Sequence, residues 1–126
     1  MNFPANIKYT KDHEWIRIEG EVGFIGITDY AQGELGDIVF VELPAAGKKV
    51  VAGQAFGTVE AVKAVSDLFA PLSGEVLEVN KKVHDTPEVV NKDPYEQGWM
   101  IKVKLEKTSE LTGLLDVEAY KKLVAA

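Results

Sequence analysis

A chain of 126 residues, 46% hydrophobic and 27% charged, suits one domain and carries enough apolar material for a core. Its net charge of −6 argues against a nucleic-acid partner, which would call for Lys and Arg against phosphate, and its lack of cysteine removes disulfides, thiolate nucleophiles and Cys-based metal sites. No apolar run approaches the ~20 residues that span a bilayer, and Met1-Asn2-Phe3-Pro4-Ala5-Asn6 matches neither a secretory signal nor an Arg-rich transit pattern, so the expectation is a cytoplasmic bacterial protein with no membrane partner, or a mitochondrial matrix protein if the chain is a processed form.

Lys8 to Ile18 reads as extended, with Trp15, Ile16 and Ile18 as strand formers and Gly20 closing the run. His13 and His84 are too far apart in the chain to suggest a metal or catalytic cluster and read as ordinary polar positions. Val22 to Ile27 is the next strand. Thr28-Asp29 starts a short helix by capping its first turn and complementing its dipole; Tyr30, Ala31, Glu34 and Leu35 continue it and Gly36 stops it. Ile38 to Leu43 is a strand ended by Pro44, with a turn at Ala46-Gly47-Lys48-Lys49.

The segment Gly57 to Pro71 reads as an antiparallel pair that reverses at Val62-Lys63. Folding it there sets Ala61 against Ala64, Val59 against Ser66 and Phe56 against Phe69. A β-branched Val and a Lys occupy the corner, where two-residue hairpin turns favour Asn-Gly or Gly-X. A local rule broken in this way marks a candidate functional site, and a lysine at a hairpin tip projects into water within a partner's reach.

Glu75 to Val79 alternates as a half-buried strand. Lys81 to Pro94 is loop-rich, with a short helical start at Thr86-Pro87-Glu88 and turn chemistry at Asn91-Lys92-Asp93-Pro94. Trp99 to Leu105 alternates again, with Trp99, Ile101, Val103 and Leu105 on one face and Met100, Lys102 and Lys104 on the other. A helical turn begins near Ser109 to Leu111, and Asp116 caps a terminal helix whose Val117, Tyr120, Lys121 and Val124 share a face. Short alternating strands joined by tight turns predict a mainly β protein, a small antiparallel sandwich or flattened barrel with short helices and a C-terminal helix. No catalytic constellation is present in the pattern, and one presented lysine on a small acidic protein reads as a carrier rather than an enzyme.

Thr58-Val59-Glu60-Ala61-Val62-Lys63-Ala64-Val65-Ser66-Asp67-Leu68-Phe69-Ala70-Pro71 closely resembles the lipoyl-lysine hairpin of glycine cleavage system H proteins. The resemblance extends through Lys8-Tyr9, His13-Glu14-Trp15, Gly26-Ile27-Thr28, Leu35-Gly36-Asp37 through Leu43-Pro44, Ser73-Gly74-Glu75-Val76, Val90-Asn91, Pro94-Tyr95 and Gly98-Trp99. It implies a single lipoyl-carrier domain over 1–126, of the lipoyl/biotinyl-carrier type, with N- and C-terminal extensions. Biotin carriers flank their lysine with methionine and oxo-acid dehydrogenase lipoyl domains precede theirs with Asp; Val62 and Ala64 depart from both patterns.

The implied cofactor is lipoic acid in amide linkage to Lys63, an arm of ~14 Å. The implied partners are a lipoylating enzyme, a pyridoxal-phosphate-dependent glycine decarboxylase, a folate-dependent aminomethyltransferase and a flavin dihydrolipoamide dehydrogenase. A lipoyl relay that supplies other carriers is the alternative. Glu60, Val62, Ala64 and Asp67 flank the lysine and are expected to shape recognition. A loaded arm bears an ammonium, so a resting place for it needs acids and apolar wall; Asp12, Glu14 and Asp67 are the candidate acids, with Leu35 and Phe40 as wall.

Overall fold

The computed structural model describes residues 1–125, apart from the side chain of Thr108. Strands β1 (Lys8–Tyr9), β2 (Glu14–Glu19) and β3 (Val22–Ile27) pair antiparallel in sequence order, with Tyr9 opposite Trp15 and Ile16 opposite Ile25. The expected extended run from Lys8 to Ile18 is thus broken at Thr10 to His13. There the Thr10 N–H donates to the Glu14 carbonyl and the His13 N–H to the Thr10 carbonyl. His13 takes φ +69°, the left-handed position that closes three-residue hairpin loops.

Helix α1 (Asp29–Leu35) begins and ends where its cap chemistry directs. Thr28 Oγ1 accepts from the Ala31 N–H at 3.2 Å, and Gly36, at φ +82°, returns its N–H to the Gln32 carbonyl. Next come β4 (Ile38–Glu42), β5 (Lys49–Val50), β6 (Ala55–Ala61), β7 (Val65–Phe69) and β8 (Gly74–Val79). The chain finishes with α2 (Lys81–Asp85), α3 (Val89–Lys92), β9 (Ile101–Leu105), a 3-10 turn (Thr108–Gly113) and α4 (Val117–Ala125).

Two antiparallel sheets face each other, a six-stranded one in the order β1-β2-β3-β9-β8-β5 and a three-stranded one in the order β4-β6-β7. Their inner faces alternate as the sequence does. Ile16, Ile25, Val76, Ile101 and Val103 from the larger sheet fill one part of the core, and Val41, Val59 and Leu68 from the smaller sheet join Ile27 and Ile38 in the other. A third cluster, Tyr9, Trp15, Tyr95 and Tyr120, fastens both terminal segments to the sheet edge. Tyr9 and Tyr120 stack at 4.5 Å, and the Trp15 indole N–H donates to the Pro94 carbonyl at 3.0 Å.

Several expectations change. Phe56 does not oppose Phe69: a bulge between Ala55 and Gly57 sets Ala55 there instead, and Phe56 turns into the core. The loop-rich stretch contains α2, capped by Asn80 Oδ1 accepting from the Lys82 N–H. Helix α3 starts beyond Thr86-Pro87-Glu88, at Val89. Met100, placed by alternation with Lys102 and Lys104, is fully buried, because it precedes the strand and packs with Val83 and Val90 from α2 and α3. On α4, Val117, Tyr120 and Val124 face the aromatic cluster while Lys121 is exposed.

Candidate functional site

The β6–β7 reversal is fixed by its neighbours rather than by turn chemistry. Ala61 and Ala64 face each other, the Ala61 N–H donating to the Ala64 carbonyl at 2.7 Å, and Val59 opposes Ser66. Among the described non-glycine residues only His13 has positive φ, so Val62 and Lys63 do not form the positive-φ turn that Asn-Gly would. The corner is instead held from outside, by the Val62 N–H donating to the Asp37 carbonyl at 3.0 Å. Asp37 is itself clamped. Asn91 on α3 donates to the Gly36 carbonyl at 2.9 Å and to Gln32 Oε1, and accepts from the Ile38 N–H at 2.9 Å.

Lys63 stands at this braced tip, exposed and without an ion pair among the described residues. Its stem runs over Gly36: a Cβ on that glycine would lie 3.3 Å from Lys63 Cε. Gly36 thus both ends α1 and leaves room for the lysine.

Beside the tip lies a pocket of about 310 Å³. Asp12 and His13 line it from the β1–β2 turn, and Ser66 from β7. Helix α1 contributes Tyr30 with Glu34 and Ala31 with Leu35, two pairs at four-residue spacing. His13 Nδ1 is hydrogen-bonded to Tyr120 Oη at 2.9 Å, and that hydroxyl to Thr28 Oγ1 at 2.7 Å. Burial pushes the His13 ring below its usual pKa, against the pull of Asp12 and Glu34.

Of the five residues considered for the arm's resting place, the pocket brings together Asp12 and Leu35. Glu14 lies beneath, only 2% exposed. Its carboxyl accepts from Thr10 Oγ1 at 2.9 Å and from the Phe69 N–H at 3.3 Å. Burial raises its pKa to about 8, outweighing those hydrogen bonds, so near neutral pH it is chiefly a neutral acid rather than a free carboxylate. Asp67 opposes Thr58 and Phe40 opposes Glu60, on the outer face of the smaller sheet and outside the pocket lining. Strand alternation is the reason: Val59 and Ser66 point inward, so their neighbours point out. Glu60, Val62 and Ala64 surround Lys63 at the exposed tip.

In the sequence Asn91 reads as a turn residue and His13 as an ordinary polar one. Tyr30, Ala31 and Glu34 read there only as helix formers, although their spacing with Leu35 puts them on one side of α1.

A family model described as glycine cleavage H-protein matches residues 7–126. The chain belongs to that family. It is 58% identical over 124 residues to the glycine cleavage system H protein of Bacteroides thetaiotaomicron, covering 98% of each chain. It is 57% identical over 126 residues to that of Bacteroides fragilis, covering each fully. The crystal structure of a glycine cleavage system H protein from Mycobacterium marinum superposes with a TM-score of 0.88 at 39% identity, covering 98% of this chain and all of that one. The mainly β sandwich is therefore the lipoyl-carrier fold, and these relatives favour glycine-cleavage duty over a general lipoyl relay.

Proposed function

We propose that residues 1–126 form one carrier domain holding lipoic acid in amide linkage on Lys63, and that it serves the glycine cleavage system without catalysing a step itself. Membership of the H-protein family supports the carrier role. The single observation that carries the assignment to Lys63 is its position: an exposed amine, without an ion pair among the described residues, at a hairpin tip whose backbone is locked through Asp37 and Asn91. A rigid tip with a free amine suits an enzyme that must bring one ε-amino group to an activated acyl group. Gly36 clears the stem, and the adjoining pocket has the mixed character an arm requires, with Ala31 and Leu35 apolar and Asp12 and Glu34 acidic.

Lipoate, once attached, supplies the disulfide that accepts the aminomethyl group and electrons. The chain's own residues present it, shelter it and offer partners a surface. Asp12 and Glu34 would attract a cationic arm end, while Glu14 supports the wall from below through the Phe69 backbone. Glu60, Val62, Ala64 and Asp67 form the surroundings a lipoylating enzyme meets. The glycine decarboxylase, the aminomethyltransferase and the dihydrolipoamide dehydrogenase are the proposed successive partners. No helix among the described residues is long and apolar enough to cross a membrane, and the bacterial relatives agree with work in the cytoplasm.

Intact mass after expression with lipoate tests the assignment. Wild type is expected to gain one lipoyl group, and Lys63→Arg none while keeping its circular dichroism spectrum, because Arg retains the charge without the acylatable amine. A fully lipoylated Lys63→Arg protein would place the cofactor elsewhere. Glycine–bicarbonate exchange with the cognate decarboxylase then tests the glycine-cleavage duty, and loaded wild type without exchange would count against it.

A further inference from the structure

The hairpin that carries Lys63 has two unlike faces. Inward, the row Val41–Val59–Ser66 meets the core and the pocket. Outward, Phe40–Glu60–Val65 forms one row and Glu42–Thr58–Asp67 the next. A bulge between Ile38 and Phe40 inserts Val39 into β4 beside Phe40. Val39, Phe40, Val62 and Val65 are 51%, 40%, 76% and 67% exposed, and they make up four of the eight exposed large hydrophobic residues among those described. Half of the exposed bulk thus gathers on one small sheet and its tip, with the acids Glu42, Glu60 and Asp67 interleaved. Strands β4, β6 and β7 contain no Lys or Arg; Lys63 stands at the tip between β6 and β7, and acylation would remove its charge.

Resting on the assignment of lipoate to Lys63, we propose that this outer face is the docking surface for the enzyme that loads the arm, and that its occupant is an apolar enzyme patch rimmed by Lys and Arg. Charge complementarity selects that occupant. An anionic membrane is repelled by the three acids, and a second copy of the chain would set the same acids against themselves. A protein patch with basic rim and apolar centre satisfies both components. The two-faced geometry also separates tasks: an enzyme can seat on Phe40 and Val65 while the arm occupies the pocket on the other side, so docking does not require the pocket to be vacated first.

The test uses the lipoylated full chain in glycine–bicarbonate exchange with the cognate pyridoxal-phosphate decarboxylase. Phe40→Ser and Val65→Ser, both at exposed positions, are expected to raise KM for the carrier about tenfold each with kcat unchanged. Glu42→Lys is expected to raise KM at low ionic strength, with the difference shrinking as salt is added. Glu75→Lys, an equal charge reversal at an exposed position of β8 in the other sheet, is expected to stay within about twofold of wild type. Intact mass of wild type and Lys63→Arg checks the lipoyl assignment, and wild-type exchange checks the glycine-cleavage duty; failure of the first overturns the assignment, failure of the second overturns the duty, and either overturns the proposal with it. If wild type passes, two results overturn the docking face alone: wild-type KM at every salt concentration for folded Phe40→Ser and Val65→Ser, or a wild-type dimer in sedimentation that those variants dissolve.

Discussion

Glu14 holds its proton more tightly in the fold than in the open chain, because burial disfavours the carboxylate. Between its ordinary value and about 8 the folded state binds more protons than the unfolded state. Stability from this group is therefore complete at low pH and is lost as pH rises through that window. Glu14→Gln keeps the shape without the titration. Melting curves between pH 5 and 9 are expected to show wild type losing roughly 5 °C relative to Glu14→Gln on the alkaline side, and parallel curves would mean the carboxyl is already ionised. The sequence placed Glu14 near the site but offered it as a free acid. What it does not display is that the Phe69 strand closes over it, 55 positions away. Of the other candidates for the arm's resting place, Asp12 and Leu35 line the pocket, whereas Asp67 and Phe40 share the outer face of the smaller sheet. Alternation already sets Asp67 on the side opposite Ser66, and candidate acids and wall residues chosen by type alone do not use that.

At the scale of elements, the clamp between α3 and the α1–β4 turn is the feature most open to test. Removing Asn91 leaves the Ile38 N–H and the Gly36 carbonyl without their partner. Asn91→Ala is expected to cost about 2 kcal/mol in urea unfolding, on the usual worth of partly buried hydrogen bonds, and to slow lipoylation of Lys63 because the Asp37–Val62 tie loses its anchor. Unchanged stability together with an unchanged lipoylation rate would show the tip needs no such anchor. Elements whose signals are local were legible: Thr28 and Gly36 bracket α1 by side-chain and backbone chemistry contained within the helix ends. The Val59–Ser66 pairing followed from counting back from the reversal. That counting failed at Phe56 because a Cβ at Gly57 would collide with the Glu42 carbonyl oxygen, a close approach from another strand that alternation does not encode. Helix α2 escaped because Lys81-Lys82-Val83-His84-Asp85 offers one apolar residue and no periodicity, leaving only the Asn80 cap to announce it.

Across the whole molecule, Tyr120 connects the C-terminal helix to the pocket. Its ring stacks on Tyr9, and its hydroxyl joins His13 in the β1–β2 turn to the Thr28 cap of α1. Tyr120→Phe keeps the stack and removes that junction. It is expected to lower stability by about 1 kcal/mol and to shift the His13 ring resonances in NMR titration, whereas a purely packing role for Tyr120 would leave the His13 titration unmoved. Sequence periodicity set Tyr120 on the inward side of α4 but gave no hint of its hydroxyl's partners, which lie 107 and 92 positions away. The lysine at the opposite extreme has no ion pair among the described residues and stands clear of every core cluster. Under the proposed assignment, acylating it takes the net charge from −6 to −7 and leaves the interior packing as it is. Whatever resistance to unfolding a loaded molecule gains over an empty one then comes from the arm's seat in the pocket, not from the core.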